Sequence, residues 1–138
     1  MKKFLVGLFL LGSLSSGFAQ NNKQEVQIAK IAESTTSWNG DKLPAYPNGQ
    51  PQITILKYSI PPHTVLPWHK HLVINAGVVT KGTLTVVDEK GNTLQLKAGE
   101  SIVELINAFH YGENRGDEPV EIMVFYAGVE GADNTVKK

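Results

Sequence analysis

From Pro51 onward, turn-forming residues divide the chain into short apolar runs, and this spacing restricts the folds open to it. Apolar and polar residues alternate in several runs, as they do in strands with one buried face. Residues 88–92 contain a glycine and predict a hairpin turn. No segment after residue 19 has a convincing helical period. The spacing predicts an all-β chain of about seven or eight short strands, arranged as an antiparallel sandwich or barrel.

The N-terminus has the pattern of a secretory signal. Lys2 and Lys3 precede an apolar run over residues 4–11 and a stretch of small residues, which predicts cleavage after Ala19. A membrane anchor is the alternative, but the apolar run is too short to span a bilayer. We therefore expect a periplasmic or secreted protein with no membrane attachment after cleavage.

Charge and cysteine content narrow the expected partners. The chain carries 13 basic and 13 acidic residues, and losing Lys2 and Lys3 with the signal leaves 11 against 13, a net charge of −2. Arg115 is the single arginine and the lysines form no stripe, so nucleic acid is not an expected partner. The absence of cysteine excludes disulfides, thiolate ligands and a lipoprotein anchor.

Three of the four histidines lie in two short segments. His69 and His71 flank a lysine, and His110 follows about forty residues later. Side chains two residues apart in a strand point the same way, about 7 Å apart along the backbone. A third imidazole from a neighbouring strand would complete a trio with open positions, as a catalytic or ligand-binding metal requires. The alternative is three unrelated surface histidines.

The spacing around these histidines resembles the two motifs of the cupin family. The first motif has the form G-x5-H-x-H-x3,4-E-x6-G, and the second has the form G-x5-P-x-G-x2-H-x3-N. The residues that fit these forms in register are His69, His71, Gly82, Gly99, His110 and Asn114. The residues that depart from them are His63 and Asn107 at glycine positions, Leu105 at the proline and Asn75 at the glutamate. The glycine and proline positions lie in turns, where asparagine tolerates left-handed backbone.

The resemblance covers about residues 51–128 and implies a double-stranded β-helix, the cupin jelly-roll barrel, with a metal site inside its mouth. It implies a divalent ion (iron, manganese or zinc) held by His69, His71 and His110. Asn75 is a weaker candidate ligand, because a neutral amide oxygen binds a transition metal poorly.

Replacing the family's glutamate changes the charge of such a site. Three neutral imidazoles leave a divalent ion its full charge, which favours small anionic, bidentate oxygen ligands such as enolates, 1,3-dicarbonyls or carboxylates. Glu104 is the candidate to replace the missing acid, either as partner of a ligand or as a base. Strand parity favours the alternative, in which Glu104 faces outward.

Several functions remain open at this point. The resemblance implies a metal-dependent enzyme of dioxygenase type acting on a small chelating anion, since similar three-histidine cupins use iron in this way. The alternative is a non-catalytic cupin that binds a small ligand or a metal, and a metal-free barrel is a third. Loss of the glutamate disfavours hydrolase and isomerase chemistry that needs a base. Outside the cytoplasm, zinc and copper would compete well for imidazoles.

We expect an N-terminal extension that is part edge strand and part loop. Its residues 26–31 alternate weakly and fit an edge strand or a segment that packs on a partner subunit. Small cupins resemble dimers that exchange N-terminal strands, so a homodimer is expected. The expected units are a signal peptide at 1–19, the extension at 20–50, the barrel at 51–130 and a flexible C-terminal tail at 131–138.

Overall fold

The computed structural model describes residues 25–138, and within them all regular structure is β-strand. The all-β prediction is therefore confirmed, while the predicted signal at 1–19 lies outside the described residues. Within residues 25–138, no helix is long and apolar enough to cross a membrane. The strands are β1 (Pro51–Ile60), β2 (Thr64–Val65), β3 (His69–His71), β4 (Ile74–Lys81), β5 (Thr83–Asp88), β6 (Thr93–Lys97), β7 (Ser101–Val103), β8 (His110–Asn114), β9 (Val120–Val129) and β10 (Thr135–Lys137).

The strands form two antiparallel sheets, and the chain passes repeatedly from one to the other. One sheet has the order β1-β9-β4-β7, and the other has the order β10-β3-β8-β5-β6 with β2 also paired to β8. The longest ladder joins β1 to β9, from Pro51 opposite Val129 to Ile60 opposite Val120. This alternation between two facing sheets is the double-stranded β-helix that the sequence predicts.

A hydrophobic core occupies the space between the sheets. Along β9 every second residue is buried, as the two-residue period of a strand requires. Each fully buried aliphatic or aromatic side chain stabilises the fold by roughly 1.5–3 kcal/mol, which gives the barrel a rigid frame. The core cluster consists of Ile60, Val73, Val79, Leu84, Val86, Leu96, Ile102, Val120, Ile122, Val124 and Tyr126.

Two turns next to the histidine strands use left-handed backbone without glycine. His63 has φ 53° and Asn107 has φ 58°, and both occupy glycine positions of the motifs. This region is sparsely populated by other residues, although Asn and His enter it more often than most. The Asn107 N–H donates to the His71 carbonyl oxygen at 2.8 Å, so this turn fixes the approach to β8 against β3.

The C-terminal residues differ from the predicted flexible tail. Thr135–Lys137 forms β10, which pairs with β3 and places Thr135 opposite His71 and Lys137 opposite His69. The prediction of a flexible tail is wrong, because β10 forms through pairing with the distant strand β3. This pairing gives hydrogen-bond partners to backbone N–H and C=O groups, which three residues cannot provide for themselves.

The N-terminal residues also differ from the prediction. Residues 25–34 form no strand in the structure, so the predicted edge strand is wrong for this described part of the extension. Val26 and Ile28 are 87% and 91% exposed, and the Ile31 carbonyl oxygen accepts a hydrogen bond from Ser101 Oγ at 2.8 Å. Apolar side chains that contact only water contribute no burial energy, so they do not stabilise an unpaired segment as a strand. Packing on a partner subunit stays a prediction.

Candidate metal centre

The three predicted histidines converge between the sheets. His69 and His71 lie on β3, and His110 begins β8 directly opposite His69. Their ring centroids are 4.6 to 5.1 Å apart, and one ring nitrogen from each lies within 4.8 Å of the others. His71 is 4% exposed and His110 is 1% exposed. These are therefore not scattered surface histidines.

Backbone carbonyls orient two of the imidazoles. His69 Nδ1 lies 2.9 Å from the Pro67 oxygen, and His110 Nδ1 lies 3.0 Å from the Ala108 oxygen. A carbonyl oxygen only accepts, so Nδ1 carries the proton in both rings, and in the neutral ring the lone pair is on Nε2. Metal-binding histidines are commonly oriented by such a contact at the other ring nitrogen.

The third imidazole is held by a residue that the sequence analysis missed. His71 Nδ1 lies 3.0 Å from Thr135 Oγ1, which β10 brings directly opposite. The only sequence signal is that Thr135 and Lys137 alternate with Val136, and three residues are too few to identify a strand.

Glu104 points into the cavity, so the predicted outward orientation is wrong. Ile102, two residues earlier, is 2% exposed in the core, and Glu104 shares its parity and is 7% exposed. Glu104 Oε2 lies 3.4 Å from His110 Nε2. The Glu104 N–H donates to the Asn75 oxygen at 3.1 Å and extends the β4–β7 ladder. A carboxylate therefore lies one strand away from the position where the motif has its glutamate.

Unlike Glu104, Asn75 does not line the cavity beside the histidine cluster. Its side chain is buried, and Nδ2 donates to the Val73 oxygen at 3.1 Å. Its Oδ1 makes no hydrogen bond with any described residue. Among residues 25–138 the cavity lining includes the three histidines and Glu104 but not Asn75.

Burial and the Glu104 charge set the protonation of the site. Burial lowers the pKa of His71 to about 4, and it also lowers the pKa of His69. Burial opposes a charged His110 as well, but Glu104 raises the pKa of His110 overall. Burial likewise favours a neutral Glu104, yet His110 and the other two histidines lower the pKa of that carboxyl. Burial thus favours the neutral form of His69 and His71, while the contact between His110 and Glu104 favours the charged form of both partners.

A cavity of about 210 Å³ lies beside these groups. It is smaller than the roughly 300–1,000 Å³ sites that hold drug-sized ligands, so it suits a small molecule. Its polar wall also contains the hydroxyls of Tyr58 and Tyr126, which are 3.1 Å apart. Burial raises the pKa of Tyr126, which therefore remains a protonated phenol. The aliphatic wall consists of Ile60, Leu66, Leu84, Val86, Ile122 and Val124.

The donor set fits a divalent transition metal. Imidazole nitrogens suit zinc, copper, iron and nickel, and the three rings present theirs within one small volume. Within residues 25–138, His110 Nε2 and Glu104 Oε2 are buried without a hydrogen bond. Such atoms cost about 1–3 kcal/mol each when unsatisfied, and a cation beside them would satisfy both. His69, His71 and His110 are the residues that would hold it.

Fold and site together define a small β-barrel protein with a three-histidine cluster compatible with metal binding. The family described as "Cupin domain" matches residues 56–126, which is more than half of the 138 residues. The chain therefore belongs to the cupin family. No curated protein matches the sequence.

Solved structures share the fold at low sequence identity. An uncharacterized conserved protein with a double-stranded β-helix domain from Klebsiella pneumoniae is 18% identical with a TM-score of 0.56, and the match covers 82% of this chain and 97% of that one. A DMSP lyase from Ruegeria pomeroyi is 16% identical with a TM-score of 0.55, covering 62% and 43%. The formate complex of Lactobacillus farciminis oxalate decarboxylase is 22% identical with a TM-score of 0.53, covering 62% and 26%. The chain thus spans less than half the length of either enzyme, and these similarities show the fold alone.

Proposed function

We propose that this cupin binds one divalent metal ion through His69, His71 and His110 and acts as a dioxygenase-type enzyme on a small chelating anion. The observation that carries the proposal is the convergence of the three imidazoles, each fixed through Nδ1, in one small cavity. His69, His71 and His110 are the residues that would hold the ion beside the cavity, where a small substrate would reach it. Iron held there would supply substrate chelation and dioxygen activation.

The residues of the chain have separate tasks in this proposal. The three imidazoles hold and orient the ion. Glu104, ionised and buried, accepts the proton that a weakly acidic substrate loses when it binds as a chelating anion. The protonated Tyr126 hydroxyl offers a hydrogen-bond donor in the cavity wall. The aliphatic wall excludes water, which strengthens each of these electrostatic interactions.

Glu104 favours a second candidate, metal-assisted proton abstraction without dioxygen, as in a lyase or an isomerase. Loss of the motif glutamate disfavours such chemistry in the sequence, but a buried carboxylate 3.4 Å from His110 Nε2 restores a base. The names of two structural neighbours, a DMSP lyase and an oxalate decarboxylase, suggest small carboxylates as compounds to test.

The test is dioxygen uptake by the mature protein loaded separately with iron, manganese or zinc. Oxalate, acetylacetone and short carboxylates are the probes, and His110→Ala and Glu104→Gln are the variants. Substrate-dependent uptake by the iron form, lost in His110→Ala, supports the dioxygenase. Product formed without uptake and lost in Glu104→Gln supports the second candidate. Binding without product in every metal form would leave the non-catalytic cupin module.

We also propose that the protein is exported and forms a homodimer. The leader pattern at residues 1–19 supports export. Exposed Ile53, Ile55 and Phe125 share the outer face of the four-stranded sheet, and exposed Val26 offers further apolar surface. A patch of this kind commonly marks an interaction surface. Light scattering tests the dimer. Deletion of residues 20–33 should change the mass in solution from that of a dimer to that of a monomer, and a variant that still has the mass of a dimer would argue against strand exchange.

A further inference from the structure

We propose that Lys137 is the anion-recognition residue of the cavity, where its ammonium group binds the carboxylate of a short-chain carboxylic acid. The inference rests on the proposed function, because it names the class of ligand for that site. Lys137 lies in β10, beyond residues 56–126 that match the cupin domain. It is therefore a feature of this chain outside the matched family region.

Strand register places Lys137 on the side of β10 that faces the histidines. Thr135 and Lys137 lie opposite His71 and His69, respectively, and side chains two apart in a strand share a face. The contact of Thr135 Oγ1 with His71 Nδ1 shows that this face points toward the site. Lys137 also lines the cavity. Directly opposite residues have Cβ atoms about 4.5–5.5 Å apart, so Lys137 begins close to His69.

The charge of Lys137 is not neutralised within the described part of the chain. Among residues 25–138, no carboxylate lies within ion-pair distance of its ammonium. Its neighbour Lys138, by contrast, pairs with Glu89 at 2.9 Å. Glu104, the one acidic residue in the described cavity lining, already faces His110. Lys137 is exposed, so its ammonium belongs to the solvent-facing part of the cavity lining. A cationic group there attracts an anion, and the charge-assisted hydrogen bond to a carboxylate is the expected contact.

The remaining walls define the rest of the ligand. Leu84, Val86, Ile122 and Val124 line the cavity and provide no charge, so they suit an aliphatic body. The volume of about 210 Å³ restricts that body to a short chain. The matching ligand is therefore a monocarboxylate with its charged end at Lys137 and the histidines and its apolar end toward these four residues.

The experiment is calorimetric titration of the straight-chain acids from acetate to hexanoate, with butan-1-ol as the uncharged probe. The proteins are wild type, Lys137→Met, Lys137→Arg and the control Lys70→Met, each metal-free and with zinc. Lys70 is a matched control because it lies on β3 between the two histidines with its ammonium over the Phe109 ring, 5.2 Å from the centroid. Lys137→Met should bind butyrate about 10–100-fold more weakly, whereas Lys70→Met and Lys137→Arg should stay within a few-fold of wild type.

The outcomes separate this inference from the metal proposal. Equal butyrate affinity in wild type and Lys137→Met, or no binding of any acid by wild type, would overturn the role of Lys137. Binding of butan-1-ol as strong as that of butyrate would overturn it as well. Stoichiometric zinc in those same samples would leave the metal site standing. Conversely, Lys137-dependent butyrate binding in a protein that takes up no zinc would support the anion site and contradict the metal proposal.

Discussion

The two sheets contribute different kinds of groups to the cavity. The six-stranded sheet presents His69, His71 and His110, each with Nδ1 held by a contact at 2.9 or 3.0 Å. The end of the four-stranded sheet presents buried Glu104, whose Oε2 makes no hydrogen bond within residues 25–138, whereas the neighbouring Asn75 lies outside the cavity lining. One wall is thus preorganised for a ligand, whereas the other retains an unsatisfied acceptor, Glu104 Oε2. The difference shows that the histidines are positioned before anything binds.

The largest expected effect comes from removing an imidazole of the preorganised wall. His110→Ala should weaken zinc binding by more than about a hundredfold, beyond the 10–100-fold range typical of groups that only orient ligands. A zinc titration against a competing chelator measures it. His63→Ala is the control, because His63 is exposed and pairs with Asp117 away from the cluster. Equal loss of affinity in both variants would contradict a specific site.

Glu104→Gln tests the wall of the cavity that faces the histidines. It removes the negative charge of the carboxylate and should weaken zinc binding by about 10–100-fold at pH 8, where protons compete least with the metal. The pH dependence has a definite sign. Glu104 raises the pKa of His110, so in wild type protons compete with the metal once the pH falls toward that raised pKa. Without Glu104, burial lowers the pKa of His110, and competition begins at a lower pH.

The two affinity curves should therefore converge on acidification, which chelator titrations at several pH values between 8 and 5 would show. A constant ratio of the two affinities across this range would contradict the coupling between Glu104 and His110. Identical affinities at pH 8 would show that Glu104 does not act on the metal at all.

Thr135→Val should have a smaller effect, about a tenfold loss of zinc affinity, because it removes the contact that orients His71 and leaves all ligands present. The same zinc titration measures it. Thr83→Val, on the exposed start of β5, is the matched control. No change in affinity for Thr135→Val would show that β3 alone fixes the His71 ring.

The smallest expected effect is on the stability of the fold, at the turn that contains Asn107. Asn107→Ala should lower the free energy of unfolding by about 1 kcal/mol, because alanine is strained in left-handed backbone and the φ here is 58°. Asn107→Gly should remain within about 0.5 kcal/mol of wild type, since glycine adopts this conformation freely. Chemical denaturation of the metal-free protein checks both variants. If Asn107→Gly lowered the free energy of unfolding as much as Asn107→Ala, the cause would be loss of the asparagine side chain and not backbone strain.

The fold and the histidine trio could be predicted because their signals are local. Strand alternation, turn residues and the two motif spacings all lie in short segments, and His63 and Asn107 occupy turns as expected. The orientation of Glu104 could not be predicted, because it shares the face of Ile102 and the pairing of β7 with β4, about thirty residues away in sequence, decides which face turns inward. β10 escaped prediction for the same reason, since it exists only through pairing with β3.

The central claim is that the three histidines hold a metal ion, and metal content tests it most directly. Elemental analysis should compare protein purified from its native compartment with the His69→Ala/His71→Ala variant prepared in the same way. The account predicts close to one equivalent of iron, manganese or zinc per chain in the wild type and almost none in the variant. Equal metal in both proteins, or none in a wild type that also fails to take up added metal, would contradict it.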